Sequence, residues 1–308
     1  MSDFVIMTDC TCDLTKEIRD RFGLEYVKGH ITLPDGTEKE TTLEWDVFSE
    51  KEFYGALKRG DNFSTTPPNV ERFTEEFRKY ASQGKDVLSI AISTGLSGTY
   101  SFMMLAKKAV QEEFPERKII CIDSLRYSSL IGLLMVYASM LRSEGKSIEE
   151  TAAWIEENKN RFRESGWIDD MFYIARKGRV SNSKAFLGRL VGIKCIGEID
   201  EKGMTTIIGK TRGKKAAYSA VLGYMEAVGE NLQDQIIFIG HSDRRKESEV
   251  FREKIIERFH PKEVIITDIY PACGVNIGPG LMSAYFVGKP ISPGLEEEKK
   301  LMAGLTGK

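Results

Sequence analysis

Short apolar strands that run straight into polar loops, and then into helices, constrain this chain more than any other feature. Phe4 to Met7, Val87 to Ile92 and Ile119 to Ile122 read as buried strands. Each is followed by a hydroxyl- or acid-bearing loop (Thr8–Asp13, Ser93–Thr99 and Asp123–Ser128) and then by a helical pattern. Strands apolar on both faces need cover on both faces, which crossover helices on a parallel sheet provide. In such sheets ligands bind beyond the carboxyl ends of the strands, where these three loops lie.

The rest of the first half fits that scheme. Leu14, Ile18 and Phe22 are spaced by four, as on one helix face. Helical patterns also cover Asp46–Arg59, Val70–Ser82, Phe102–Phe114, Ser128–Arg142 and Ile148–Phe162. Leu24 to Leu33 reads as one strand with a turn at Pro34-Asp35-Gly36. Phe63 to Asn69 carries Pro67-Pro68 and is expected to be irregular. After about residue 165 the pattern changes. Gly197–Gly209 reads as a hairpin turning at Glu201-Lys202-Gly203, and helices near 216–229 and 247–259 flank the apolar strands Ile236–Ile239 and Val264–Ile269. The expected fold class is therefore α/β. An N-terminal parallel-sheet α/β domain, residues 1–165, is followed by a C-terminal α+β domain, residues 166–308. The segment from Pro290 on reads as a peripheral tail.

Composition narrows the partners. The 308 residues carry a net charge of -2, which argues against a dedicated nucleic-acid binder. The longest apolar stretch, Leu130 to Leu141, is broken by Gly, Tyr and Ser and falls short of the roughly 18–20 residues of a membrane span. The N-terminal MSDFVIMTD has no basic leader region, so a cytoplasmic location is expected. The five cysteines are scattered, and Cys10-x-Cys12 lacks the spacing of a metal or redox pair, so neither disulfide nor metal is expected. Charge is uneven: Arg161 to Lys215 holds 13 Lys/Arg against 6 Asp/Glu, a net of +7. That stretch is either a solvated basic face or a docking surface for an anionic partner.

Ser93-Thr94-Gly95-Leu96-Ser97-Gly98-Thr99-Tyr100 is the most informative segment. Four hydroxyls and two glycines at a strand-to-helix junction can aim O–H and N–H donors at an anion. The loop contains no Lys or Arg and matches neither GxxxxGK[ST] nor GxGxxG, so one weak negative charge, such as a carboxylate, suits it better than a polyphosphate. The alternative is a capped helix with Ser97 at its N-cap. Ser97 as a nucleophile, with His241 as base, gives a serine-hydrolase reading; the elbow GxSxG is broken by Thr99. Thr65 and Thr66 precede two prolines that stiffen their loop. The helix Ser128–Arg142 is apolar nearly all round, so it is either sandwiched in the core or faces an apolar ligand. Arg176, Lys177 and Arg179 surround Gly178, and Gly274–Gly280 reads as a glycine-rich loop after a strand.

Taken in order, these segments resemble the DegV family of bacterial fatty-acid-binding proteins. TDCTCDL is similar to the family's TDSTxDL, with Cys10 in place of serine. STTPPNVERF resembles TSQPSxxxF at Thr65, Pro68 and Phe73; STGLSGTY resembles SSxLSGTY; ARKGRVS resembles KGGRIS, with Arg179 on the arginine. IDSLRYSSLIGLL resembles the next segment, and the likeness runs from about residue 4 to about residue 288. The resemblance implies a non-catalytic carrier that needs no cofactor, buries one long-chain fatty acid between two domains, and presents its carboxylate to a separate fatty-acid kinase. Carried over by position, the carboxylate would meet Thr65, Ser93 and the amides of Ser97 and Gly98. Arg179 would stand near the head group or on the kinase-facing side. The family's His-x-Gly-Pro-Gly is here Asn276-Ile277-Gly278-Pro279-Gly280. Asn276 can hydrogen-bond a carboxyl group but carries no positive charge.

Overall fold

In the computed structural model, which describes residues 4–181 and 192–307, the chain forms three sheets. The first is parallel and four-stranded: β1 (Phe4–Asp9), β2 (Leu24–Val27), β6 (Asp86–Ala91) and β7 (Ile119–Asp123), in the order β2-β1-β6-β7. Its crossovers are helical: α1 (Lys16–Phe22) between β1 and β2, and α4 (Thr99–Glu113) between β6 and β7. α1 is closed by a Thr15 cap at its start and by Gly23, at φ 58°, at its end, a left-handed position that glycine adopts without strain.

Leu24 to Leu33 is two strands rather than one. The chain breaks at Lys28, and β3 (Gly29–Thr32) leaves the parallel sheet for a small antiparallel one with β4 (Glu38–Thr41) and β5 (Ser64–Thr66). Gly29 permits this turn, since a Cβ there would stand 2.6 Å from the Thr66 carbonyl. β5 corrects the expectation of irregular structure: the prolines end the strand at Thr66 instead of abolishing it. Helix α2 (Glu50–Arg59) starts four residues later than expected, because Ser49 and Glu52 form a capping box that fixes its first turn. α3 (Val70–Ala81) covers the sheet beside α4.

The second sheet is mixed and six-stranded: β8 (Phe162–Ile168), β9 (Ile193–Ile199), β10 (Thr205–Arg212), β11 (Ile236–His241), β12 (Glu263–Asp268) and β13 (Met282–Val287). Its order is β10-β9-β8-β13-β11-β12, and only β11 and β12 run parallel. The hairpin of β9 and β10 falls where the sequence indicates. Helices α8 (Lys214–Val228) and α9 (Arg245–Phe259) lie against this sheet. The all-apolar helix α5 (Ser129–Ser143) packs on β1 from one side and on β8, β11 and β13 from the other. It is therefore a sandwiched core helix, held between the two large sheets with α6 (Ile148–Asn158) beside it.

Two expectations need correction. Gly274–Gly280 begins inside a helix, α10 (Pro271–Ile277), which Pro271 opens and Gly278 ends; only the Gly-Pro-Gly part is a turn. The segment after Pro290 is also not peripheral. It forms α11 (Glu296–Thr306), packed on α8 and β10 with Leu295 and Met302 fully buried. Gly209 makes room, because a Cβ there would meet Met302 Cγ at 2.3 Å. Glu298 of α11 reaches Arg163 of β8 at 3.0 Å, and the same guanidinium holds Glu198 at 2.9 Å. The basic stretch Arg161–Lys215 thus spends part of its charge on internal pairs: Arg163 on these carboxylates, Lys194 on Asp169 and Lys214 on Glu247.

Candidate functional site

A cleft opens where the loops after β1 and β6 meet the small sheet, the β10 edge and helix α10. Its walls include Thr11, Thr41, Thr65, Thr66, Ser97, Thr99 and Thr205, with Ile92, Leu96, Ile174 and Ile277 between them. The space between the walls is about 790 Å³, mouth included. Asn276 and Arg179 also face it. The polar wall is thus made of hydroxyls, with one amide and one guanidinium.

Each hydroxyl is set in place by local structure. Asp9, buried at the end of β1, accepts hydrogen bonds from the Thr11 hydroxyl and from the Thr11 and Ile92 amides, at 2.8 and 3.3 Å for the amides. Burial raises its pKa, and these bonds oppose the rise. Asp13, at φ 51°, accepts from Ser128 Oγ at 2.5 Å and from the Tyr270 amide at 2.8 Å, so it ties the β1 loop to α5 and α10. Burial pushes its pKa up to about 8 despite those bonds. Thr65 comes from β5 and Asn276 from α10, and the Asn276 amide donates to Thr65 Oγ1 at 3.4 Å. Two residues 211 apart in sequence are thereby brought to one point on the wall.

The Ser93–Thr99 loop behaves differently from a backbone anion cradle. Most of its amides are satisfied within the protein: Thr94 N donates to Asp123, Gly95 N to Ser93 Oγ, Leu96 N and Ser97 N to the Ser93 carbonyl, and Thr99 N to Ser97 Oγ. Ser93 is fully buried, and its hydroxyl faces the β9–β10 turn rather than the cleft. A Cβ on Gly203 would overlap Ser93 Oγ at 1.9 Å, and one on Gly95 would meet the Lys202 carbonyl at 2.5 Å. The hairpin tip and the loop therefore touch backbone to backbone. The N-cap position of α4 is Gly98, without a side-chain cap, and Ser97 Oγ sits 2.8 Å from Thr99 Oγ1. Of the sequence candidates, Thr65, Ser97, Asn276 and Arg179 line the cleft; Ser93 and Gly98 do not.

The hydrolase pair is not assembled. Ser97 lines the cleft and His241 does not. His241, fully buried at the end of β11, sits between two carboxylates: Glu50 Oε1 lies 3.4 Å from Nδ1 and Asp268 Oδ1 lies 3.1 Å from Nε2. Burial alone would lower its pKa, but the two carboxylates more than reverse this and hold it at about 8. These three groups are also the one His/Asp/Glu cluster of metal-ligand type among the described residues, but the carboxylates flank opposite ring nitrogens, as around an imidazolium. A pKa raised from 6.5 stabilises the fold below pH 6.5, and that gain disappears as pH rises through about 8. We expect thermal melting curves to show about 2 kcal/mol lost between pH 6.5 and pH 9, and His241→Gln to flatten the dependence. An unchanged pH profile in the variant would exclude His241 as its source.

A second, smaller chamber continues inward from the cleft. Tyr127, Ile174, Thr205 and Ile277 line both, and so form the constriction between them. Beyond it, Trp167, Ile168, Cys195, Ile207 and Leu281 make an apolar wall interrupted by Glu164. Sequence reasoning missed this chamber. The one signal was the charged pair Arg163-Glu164 inside the buried strand Phe162–Ile168.

The DegV family model, described as an uncharacterised protein of that family, matches residues 3–289. A DegV domain-containing protein of Clostridium perfringens is 32% identical over 293 residues, covering 95% of this chain and all of the relative. A DegV family protein from Thermus thermophilus, solved in a study of its fatty-acid binding, is similar with a TM-score of 0.83 and 24% identity, covering 93% of this chain and 99% of that one. A DegV lipid-binding protein from Thermotoga maritima is similar with a TM-score of 0.82 and 23% identity, covering 94% and 100%. A DegV described as a fatty-acid-binding protein, from Bacillus subtilis, has a TM-score of 0.78 at 23% identity, covering 94% and 100%. These likenesses establish the fold, including the parallel sheet joined to a second, mixed one. Among the described residues no helix is long and apolar enough to cross a membrane.

Proposed function

Since this chain belongs to the DegV family, we propose that it binds one long-chain fatty acid in the hydroxyl-walled cleft and acts as a carrier rather than a catalyst. The observation that carries this reading is the combination of a cation-poor hydroxyl wall with a mostly apolar chamber that shares Tyr127, Ile174, Thr205 and Ile277 with it. Hydroxyls and an amide can hold a carboxylate by hydrogen bonds to a charged group, worth about 1.5–3 kcal/mol each. A tail of about fifteen methylenes adds roughly 12 kcal/mol gross at about 0.8 kcal/mol per CH₂, before the costs of ordering it. The tail supplies the affinity and the wall supplies the orientation.

The carboxylate is assigned to Thr65 and Asn276, with Ser97 and Thr99 on the opposite wall. Ser93 has a positioning role, since its hydroxyl and carbonyl hold the Gly95, Leu96 and Ser97 amides. Arg179 is exposed at the mouth beside Arg176 and Lys177. That cationic rim suits presentation of the head group to a kinase, which is the second part of the proposal.

Thr65→Ala or Asn276→Ala is expected to weaken fatty-acid affinity by roughly 10- to 100-fold, the loss of one charge-assisted bond. Titration with a fluorescent fatty-acid analogue, and displacement by octadecanoic acid, measures it. Unchanged affinity in both variants would place the head group elsewhere.

A further inference from the structure

Among the described residues, Glu164 is the only charged one lining the inner chamber. It is 3% exposed, on a strand buried along its whole length. Its Oε2 accepts a hydrogen bond from the Tyr127 hydroxyl at 2.8 Å, and the Ser283 hydroxyl lies beside it. A carboxylate offers about four acceptor positions, so two hydroxyls leave capacity for another donor.

The chamber's polar groups are the Glu164 carboxyl and the Tyr127 and Thr205 hydroxyls; the rest of its lining is mostly apolar. Its open space is about 350 Å³, less than half that of the outer cleft. Gly197 keeps that room open: a Cβ there would meet Thr205 Cγ2 at 3.4 Å, an ordinary contact, so the position is bare without being sterically forced. A plain hydrocarbon chain entering here would strip solvent from Glu164 and give no hydrogen bond in return, which is costly for a buried carboxyl group. A chain bearing a hydroxyl would supply that donor.

We propose that the Glu164 chamber is a hydroxyl subsite, and that the fatty acids this protein prefers are hydroxylated along the acyl chain. The proposal rests on the fatty-acid reading above and specifies its substrate class. Tyr127 belongs to both the constriction and the subsite, so a tail that passes the constriction meets a residue already aligned on Glu164. The titration behaviour of the carboxyl agrees. Burial pushes its pKa up to about 7, and the nearby Glu198 charge adds to this; the Tyr127 and Ser283 hydroxyls and the Arg126 charge oppose it. An unsubstituted tail raises it further, so binding octadecanoic acid takes up a proton and weakens as pH rises above about 7. A hydroxylated tail is less sensitive.

The test is competitive binding of octadecanoic acid against its 10-hydroxy and 12-hydroxy derivatives at pH 7. The wild-type protein is expected to favour at least one hydroxy acid by about tenfold or more, as a site with a buried hydrogen-bonding group rejects a ligand lacking its partner. Glu164→Leu should reverse the preference, and Glu164→Gln should retain most of it. Gly197→Ala, which fills the void while leaving Glu164 in place, should abolish it and serves if the leucine variant does not fold. Tight binding of octadecanoic acid with no preference for either hydroxy acid overturns this proposal alone, as does a preference that survives Gly197→Ala. Failure of all three acids to bind overturns the fatty-acid reading and this proposal with it.

Discussion

Replacing Ile174 by tryptophan is expected to reduce long-chain fatty-acid affinity by more than 100-fold while the protein stays folded. Ile174 lies on a short helix, α7 (Met171–Arg176), and lines both the outer cleft and the inner chamber. The indole would fill the constriction that it forms with Tyr127, Thr205 and Ile277. Each methylene kept out of an apolar environment forfeits about 0.8 kcal/mol, so excluding four or five costs about 3–4 kcal/mol. That corresponds to a loss of about 100- to 1,000-fold in affinity. Short acids that do not reach the constriction should bind as before, and this separates a blocked passage from a damaged head-group site. Ile174→Ala widens the same point and should leave long-chain binding within a few-fold. If the tryptophan variant binds long and short acids equally well, the tail takes a different route.

The second large effect is on stability. Glu298→Ala is expected to cost about 3 kcal/mol and to lower the melting temperature by about 10 °C. The reason is burial. Arg163 is 1% exposed at its side chain, Glu198 0% and Glu298 4%, so removing one carboxylate leaves a guanidinium short of its charge balance where water cannot compensate. Tyr224 donates to Glu198 at 3.0 Å and accepts from Arg163 at 2.7 Å, so the defect spreads through a connected network. Deleting residues 290–308 should cost more, because it also uncovers the face of β10 and α8 that α11 protects. Differential scanning calorimetry decides the matter; a tail deletion that melts like the full chain would show α11 to be dispensable.

Much of the fold can be read in the residues themselves. Parallel strands apolar on both faces, the four-residue spacing of Leu14, Ile18 and Phe22, and the Glu201–Gly203 turn are local patterns, and the structure contains them. What was hidden depends on partners distant in sequence. The tail looks like a charged appendage because the sequence does not show that Glu298 finds Arg163, 135 residues earlier, or that Gly209 clears space for Met302. The break at Lys28 is equally nonlocal, since β3 leaves one sheet only because β5 offers another edge.

The site divides in the same way. Thr65, Ser97, Asn276 and Arg179 were recognisable as polar residues in loop-like segments, and they line one cleft. Ser93 was not separable from its neighbours, because only the packed hairpin tip shows that its hydroxyl points inward. Most amides of the loop looked free in sequence and are taken by the Ser93 carbonyl and by the Ser93, Ser97 and Asp123 side chains. The inner chamber, built from β8, β9, β10 and α10, has no sequence signature beyond the charged pair Arg163-Glu164 in what folds as a buried strand.

The most direct test of the central claim is native mass spectrometry of the purified protein, before and after addition of a mixed set of C14 to C20 fatty acids. One bound acid per chain is expected, stable to desalting in the wild type and absent from Ile174→Trp. A wild-type protein that retains no acid, whether copurified or added, would contradict it.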